Sequence, residues 1–574
     1  MVFLSAVFAA WGVTRLGPGT CGAAVTTCTH NPEHLLSSQP IAAAADCCTL
    51  CTKDRECLSY TAFQSGGRLR CNTFSTVNIT GGAGNCVSAA VTHPKPMNFI
   101  FMFPDTMRAE SFSSYGHPLK TTPNLDAFAE TGVRFEQCHT MHTQCSPSRA
   151  TMLTGRYMHV LGHRTQTNLL ESYEQNYFQT LKKNGYWIQY YGKNDVFSPD
   201  AMNTSVSYWE GDIGTQSGSN AYEWGEAGYW SMLSTGANVS KDSLTNKDYA
   251  AVVKSVSFLK NQTADSPPFV LFLPGRGAHP PYGSPMEFHN KWSVDEVRDS
   301  GRKLRPAFGP TKPRYHSRTE GVPFYRNLTG LGAVDFLSIQ KAYLGMVAYN
   351  DWIFGELMKG LEESGLADST AVFYSSDHGD FAGDFEMIEK WPGGADDVLS
   401  RVPLYARIPG GAAGFVSKAP VQLADIPHTI CMLAGIDVVG DGSGQWGINF
   451  GHDLTPQLSA GHNEGDLSRF VYAEGGFKFY NELFPGGSDH VPDDPKGMYW
   501  PRAQEEMSGN GTGSPKWVMR RNLTHKLVYR PGFDSELYDY TVDPLELTNV
   551  WDVPAYAALQ IELLDGLLEW LVET

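Results

Sequence analysis

The 574-residue sequence predicts an α/β fold: a central, mostly parallel sheet flanked by helices, with a small disulfide-rich module ahead of it. Three observations predict this. From Asn98 onward, apolar runs of strand length alternate with helix-period segments. A polar or charged residue stands shortly after each of four such runs. Eight of the 11 cysteines fall within the first 86 residues. Hydrophobic residues are 41% and aromatics 12%, enough apolar surface for a large core, so wholesale disorder is excluded.

Asn98-Phe-Ile-Phe-Met-Phe103 is continuously apolar and too short for a typical helix, which predicts a buried strand. Thr122-Pro123 opens a helix through Leu125, Phe128 and Ala129, stopped by Gly132. Trp187–Tyr191, Phe269–Leu273 and Ala371–Tyr374 are further strands. Between the last two, Tyr343, Met346, Val347, Asn350, Ile353, Leu357 and Leu361 recur at three- and four-residue spacing, the stripe of an amphipathic helix facing the core. Asp105 follows the first strand, Lys193 the second, His279 the third by six residues, and Asp377-His378 the fourth. Parallel sheets bind ligands outside the carboxyl ends of their strands, so these groups are expected to converge on one rim.

Lys and Arg total 44 against 61 Asp and Glu, a net charge of −17. No basic block is present, which argues against nucleic-acid binding; an anionic substrate would have to be met by a few local cations. No apolar run reaches the roughly 18–20 residues of a membrane span. Residues 1–20 read as a secretory signal segment, although the positive n-region is missing. Cys21, Cys28, Cys47, Cys48, Cys51, Cys57, Cys71 and Cys86 read as a disulfide framework over 21–90, with connectivity open. Zinc is the rival, but His30 and His34 are not in a finger-like spacing. Residues 91–97, containing Thr92-His-Pro-Lys-Pro96, form a linker. Sequons at Asn78, Asn203, Asn238, Asn261, Asn327, Asn510 and Asn522 are candidate glycosylation sites. Together these predict a secreted protein or one of a lysosome-like lumen.

The sharpest run is Gln144-Cys145-Ser-Pro-Ser-Arg149, continuing to Leu153-Thr-Gly-Arg156. Taken alone, Cys145 fits a buried cysteine, a disulfide to Cys138, or a thiolate nucleophile. The whole run resembles the signature of the sulfatase family, in which the formylglycine-generating enzyme oxidises the cysteine to an aldehyde. The resemblance spans about residues 97–570 and includes Pro104-Asp105-Thr-Met-Arg-Ala-Glu110, Gly192-Lys193, Gly277-Ala-His279-Pro, Ser375-Ser-Asp377-His378-Gly-Asp380, and Lys390, 13 residues after Asp377. Lys526–Tyr529 and Glu536–Glu546 match that family's small C-terminal α+β subdomain. The resemblance therefore implies an alkaline-phosphatase-like catalytic domain over 98–460 and a subdomain over 461–574. Separately, Asp46–Phe63 with Cys71 resembles the PAN/apple family, a cysteine-stapled helix on a small sheet. That implies a module binding protein or carbohydrate, such as a matrix or polysaccharide ligand.

The sulfatase resemblance implies hydrolysis of sulfate esters, with a sulfated carbohydrate as the expected substrate. A sulfate ester carries one negative charge and repels anionic nucleophiles, so cations must surround it. Asp105, Asp377, His378 and the formylglycine from Cys145 would hold one divalent metal, expected as calcium. Manganese or zinc stays open, because Pro104 replaces a common second aspartate and His378 supplies nitrogen. Arg149 would hold the aldehyde hydrate or a sulfate oxygen, Lys193 and Lys390 the sulfate oxygens, and His279 would protonate the leaving alcohol. His163 and Arg164 are expected to line the substrate pocket. Asn194-Asp195 stands where the family commonly has a histidine after the lysine. Two alternatives stay open: a phosphonate monoester or phosphodiester hydrolase of the same superfamily, and a catalytically inactive extracellular binding protein on the same scaffold.

Overall fold

The computed structural model describes residues 96–574 apart from 167, 212–218, 308, 310, 314–325, 391–393, 437, 439–448 and 477–514, and five backbone strands within 20–92. The chain divides into two compact units, Met1–Pro96 and Met97–Thr574. Residues 1–19 of the signal segment, the segment 46–58 that carries the paired cysteines, and the sequons at Asn78 and Asn510 lie outside the described residues.

In the first unit β1 (Thr20–Cys21), β2 (Leu35–Pro40), β3 (Ser59–Ser65), β4 (Arg68–Phe74) and β5 (Cys86–Thr92) form one antiparallel sheet in the order β1-β5-β3-β4-β2. Ser65 of β3 pairs with Arg68 of β4, so two residues, Gly66-Gly67, separate these strands in the sequence.

The second unit is built on an eight-stranded sheet, ordered β13-β7-β12-β11-β6-β10-β8-β9. Its strands are β6 (Asn98–Met102), β7 (Val133–His139), β8 (Trp187–Tyr191), β9 (Tyr208–Glu210), β10 (Phe269–Leu273), β11 (Thr370–Ser375), β12 (Arg401–Arg407) and β13 (Phe415–Gln422). Only β12 runs against its neighbours, so β6, β7, β8, β10 and β11 end on one rim. The alternation along β6 explains its unbroken apolar run. Phe99 and Phe101 enter one buried cluster, Ile100 and Met102 another, because helices cover both faces.

Helix α1 (Pro123–Ala129) starts at the proline but ends before Gly132. Helix α2 (Cys145–Thr154) lies on the first face through Ala150, Met152 and Leu153. Helices α3 (Lys247–Lys260) and α4 (Ala333–Glu363) pack on the second face. Among the described residues no helix is long and apolar enough to cross a membrane.

Strands β14 (Val471–Gly475), β15 (Trp517–Arg521), β16 (His525–Tyr529) and β17 (Glu536–Asp539) form an antiparallel sheet, with helix α5 (Ala557–Glu573) against it. Leu527, Leu537, Leu563, Leu567 and Trp570 share a core with Met141 and Tyr157, on either side of α2. Glu474 N–H also donates to the Met141 carbonyl, so this sheet braces the segment that carries Cys145. Of the described sequons, Asn203, Asn238, Asn261 and Asn327 are exposed and Asn522 is half-buried.

Candidate active site

Cys145 is the first residue of α2, whose amino end faces the rim where β6 and β11 finish. Asp105 lies three residues past β6, and Asp377 and His378 directly follow Ser376 after β11. One donor atom from each of Asp105, Cys145, Asp377 and His378 lies within 4.8 Å of all the others, and all four residues are buried. Cys145 Sγ is 3.2 Å from His378 Nε2 and 3.6 Å from Asp105 Oδ1. Cys138 and Cys145 are both free, so the disulfide between them does not form.

The His378 Nδ1–H donates to the Gly379 carbonyl at 2.8 Å, which leaves the Nε2 lone pair facing the two carboxylates. Burial lowers the His378 pKa, so the ring is neutral. Two carboxylates, a neutral imidazole nitrogen and the side chain at 145 fit a divalent cation.

Cations already compensate the acids. Arg149 Nε donates to Asp377 Oδ2 at 2.9 Å, and its Nη2 lies 3.4 Å from Asp105 Oδ2. Lys193 Nζ lies 2.6 Å from both Asp105 Oδ2 and Asp195 Oδ2. Burial pushes the Asp105 carboxyl up, but Lys193 and the other nearby cations outweigh it and hold the group well below the usual carboxylate range. Arg149 Nη1 is buried without a partner, a donor that a sulfate oxygen or an oxygen at position 145 would satisfy. Burial, followed by Asp105, pushes the Cys145 thiol up to about 12, which argues against a thiolate nucleophile.

His279 and Lys390 complete the rim. His279 Nδ1–H donates to the Pro280 carbonyl at 2.6 Å, and Lys390 Nζ lies 2.8 Å from His279 Nε2. Burial and then Lys390 lower the His279 pKa to about 3, so the ring is a neutral acceptor. Gly277 lets this loop run against the first strand end: at φ +55° it sits where a Cβ would stand 2.3 Å from the Asp105 carbonyl oxygen.

His163 and Arg164 are bonded elsewhere. His163 Nε2 pairs with Glu174 at 2.7 Å and its Nδ1 with the Asn168 carbonyl; Arg164 pairs with Glu474 at 2.6 Å. Among the described residues, no hydrogen bond joins either to the Cys145 group.

Three contributors escaped the sequence reading. Thr106, at φ 66°, donates its N–H to Asp377 Oδ1 and its hydroxyl to Asp105, tying the two acids together. Tyr282 and Asp380 join the His279 loop to the Lys390 loop: the Tyr282 hydroxyl donates to Asp380 Oδ1 and accepts the Glu389 N–H, both at 2.7 Å. Thr106 and Asp380 stand inside motifs that were legible, whereas Tyr282 carried no local signal beyond its place after Pro280-Pro281.

A mostly parallel sheet, with buried acids and matching cations gathered at its carboxyl rim, defines a hydrolase of anionic esters. The chain belongs to the sulfatase family: the family model described as Sulfatase matches residues 97–436. Its reaction class is accordingly the hydrolysis of sulfate esters. It is 24% identical to arylsulfatase K of Bos taurus over 490 residues, 82% of this chain and 81% of the relative. It is 23% identical to an N-acetylglucosamine-6-O-sulfatase of Bacteroides thetaiotaomicron over 541 residues, 84% and 88% of the two chains. The fold is shared with the phosphonate monoester hydrolase of Agrobacterium radiobacter, at TM-score 0.66 and 22% identity, covering 83% of this chain and 96% of that one.

Proposed function

We propose that this protein removes sulfate from a sulfated carbohydrate, with Cys145 converted to formylglycine and one divalent metal held by Asp105, Asp377, His378 and residue 145. The observation that carries the reading is the setting of Cys145: a buried residue at a helix start, among three metal-type donors, beside an Arg149 with an unpaired buried N–H. The N-acetylglucosamine-6-O-sulfatase relative supports the carbohydrate. Formylglycine supplies the nucleophilic oxygen, and the metal neutralises charge on the ester and polarises it.

The chain's own residues do the rest. Arg149 fixes Asp105 and Asp377 and offers Nη1 to an oxygen. Lys193 and Lys390 stabilise negative charge on the sulfate oxygens, in a site dry enough to strengthen each contact. Lys390 donates a hydrogen bond to neutral His279, so the two residues share one proton that can pass to the leaving alkoxide. Calcium remains the expected metal, with manganese or zinc as alternatives. Secretion and a carbohydrate- or protein-binding role for the first unit belong to the same proposal, supported by the cysteine density and the exposed sequons.

Mass spectrometry of the peptide spanning Cys145, from a eukaryotic secretory host, tests the reading: conversion makes it about 18 Da lighter. An unmodified thiol that persists with the modifying enzyme supplied would sink it and favour the inactive-scaffold alternative. The likeness in fold to the phosphonate monoester hydrolase, together with Pro104, keeps one second reading. Sulfate and phosphonate monoesters both carry one charge, so the cations alone do not choose between them. Specificity constants on a matched pair of esters decide it.

A further inference from the structure

A cavity of about 130 Å³ opens beside Lys193, at the amino end of α3. Lys193, Lys247, Lys254 and Arg276 line it, against Glu210 and Asp248. Its floor includes the backbone at Gly192 and Gly211, where β8 and β9 end so close that a Cβ on Gly211 would stand 1.7 Å from the Gly192 carbonyl oxygen.

Most of the charges here are already partnered. Lys193 is held by Asp105 and Asp195, and Lys254 pairs with Glu210. The Asp248 carboxylate accepts the backbone N–H groups of Arg276 at 2.8 Å and Gly277 at 2.9 Å. Those bonds hold the loop by its backbone, and the guanidinium bears on Asp248 through its charge alone. Among the described residues, no hydrogen bond or ion pair reaches the Arg276 side chain. Arg276 is also three residues before His279 in one loop, and Lys193 borders the cavity as well as the Cys145 group. The cavity and the Cys145 group thus share Lys193 as a common wall.

We infer that this cavity is a subsite for a second anionic group of the substrate, a further sulfate or a carboxylate on the sugar, received by the guanidinium of Arg276 with Lys247 beside it. The inference rests on the sulfatase reading of the adjoining site and narrows its substrate to a carbohydrate with at least two negative groups. Arg suits this task because its planar fork matches either oxyanion.

The test compares kcat/KM of the full chain on three sugars: one with a single sulfate, one with two sulfates, and one with a sulfate and a carboxylate. The wild type is expected to favour the doubly anionic sugars, and rising salt should erode that preference. Which of the two is favoured more identifies the second group. In Arg276→Gln the preference for doubly over singly charged sugar should fall about tenfold. Lys247→Gln, on the exposed first turn of α3, should lower it in the same direction and guards against a folding defect at position 276. An absent preference in the wild type, or equal losses on all three sugars in the Arg276 variant, overturns the subsite while leaving the sulfatase reading intact. No hydrolysis of any sulfate ester, with position 145 converted and metal supplied, overturns the reading beneath it and the subsite together.

Discussion

Lys390 donates to the Nε2 of His279 across 2.8 Å, because the histidine has already committed its Nδ1–H to the Pro280 carbonyl. The pair behaves as one proton-bearing unit. His279 alone, with its pKa near 3, is a poor stored acid at neutral pH.

Removing either member should therefore cost about the same. Lys390→Ala and His279→Gln should each lower kcat by about 10²- to 10⁴-fold on a sugar sulfate, whose alkoxide needs a proton. On nitrophenyl sulfate, whose leaving group departs as a stable anion, the loss should be much smaller. The double variant should be little worse than either single one. Losses independent of the leaving group would show that the pair only binds sulfate.

Chelation separates the metal's chemistry from its structural contribution. Asp105 and Asp377 are compensated by Arg149 and Lys193 without any metal, so stripping the cation does not leave two bare carboxylates. Activity should fall by more than about a hundredfold, while the unfolding free energy falls by only the binding linkage, about 3 kcal/mol at saturating metal. Adding back calcium, manganese and zinc separately, with metal content measured, identifies the ion by recovery. A chelated protein that keeps full activity would remove the metal from the reaction.

The strands of the sheet centre were legible because both their faces are buried. Phe269–Leu273 and Trp187–Tyr191 read as apolar runs, and the structure gives the same bounds. The reversed strand β12, its neighbour β7 and the edge strand β13 were not legible. Arg134, Glu136, Arg401 and Lys418 interrupt them, and a mixed edge carries no single period. At the site, the residues just past strands or opening a helix could be singled out in one dimension, and the structure gathers Asp105, Cys145, Asp377 and His378 within 4.8 Å. Their partners could not be read that way. His163 and Arg164 follow the signature closely, yet their bonds run to Glu174 and to Glu474, a residue of β14 more than 300 positions away, and such choices are set by packing alone.

The His163–Glu174 pair predicts a pH window for stability. Burial would lower the His163 pKa, but the Glu174 hydrogen bond and charge more than offset this and raise it above 6.5. That contribution is full below pH 6.5 and is lost as pH rises through the raised value. Glu174, with its pKa held below 4.5, contributes above 4.5 and loses its share as pH falls. The pair therefore stabilises most between those limits. Denaturant unfolding of His163→Asn should show a loss of about 1 kcal/mol near the middle of the window, small because the pair is only partly buried and solvent screens it. The difference from wild type should shrink on the alkaline side; a difference constant with pH would mean that His163 contributes packing rather than charge.

Tyr282 has no bond to the Cys145 group, yet its hydroxyl connects the two loops that place His279 and Lys390. It donates to Asp380 Oδ1 and accepts the N–H of Glu389, the residue before Lys390. Asp380 is fully buried, and burial raises its pKa to about 7 against the opposing Tyr282 hydrogen bond. Tyr282→Phe keeps the ring and deletes one hydroxyl, so it should destabilise the protein by about 1–3 kcal/mol through the poorly satisfied carboxyl. It should also let Lys390 drift, lowering kcat about tenfold on sugar sulfates and less on nitrophenyl sulfate, a weaker copy of the Lys390→Ala pattern. Because the effect passes through Lys390, adding Tyr282→Phe to Lys390→Ala should cost little further activity. Additive losses in that cycle would mean that Tyr282 acts on the reaction by another route.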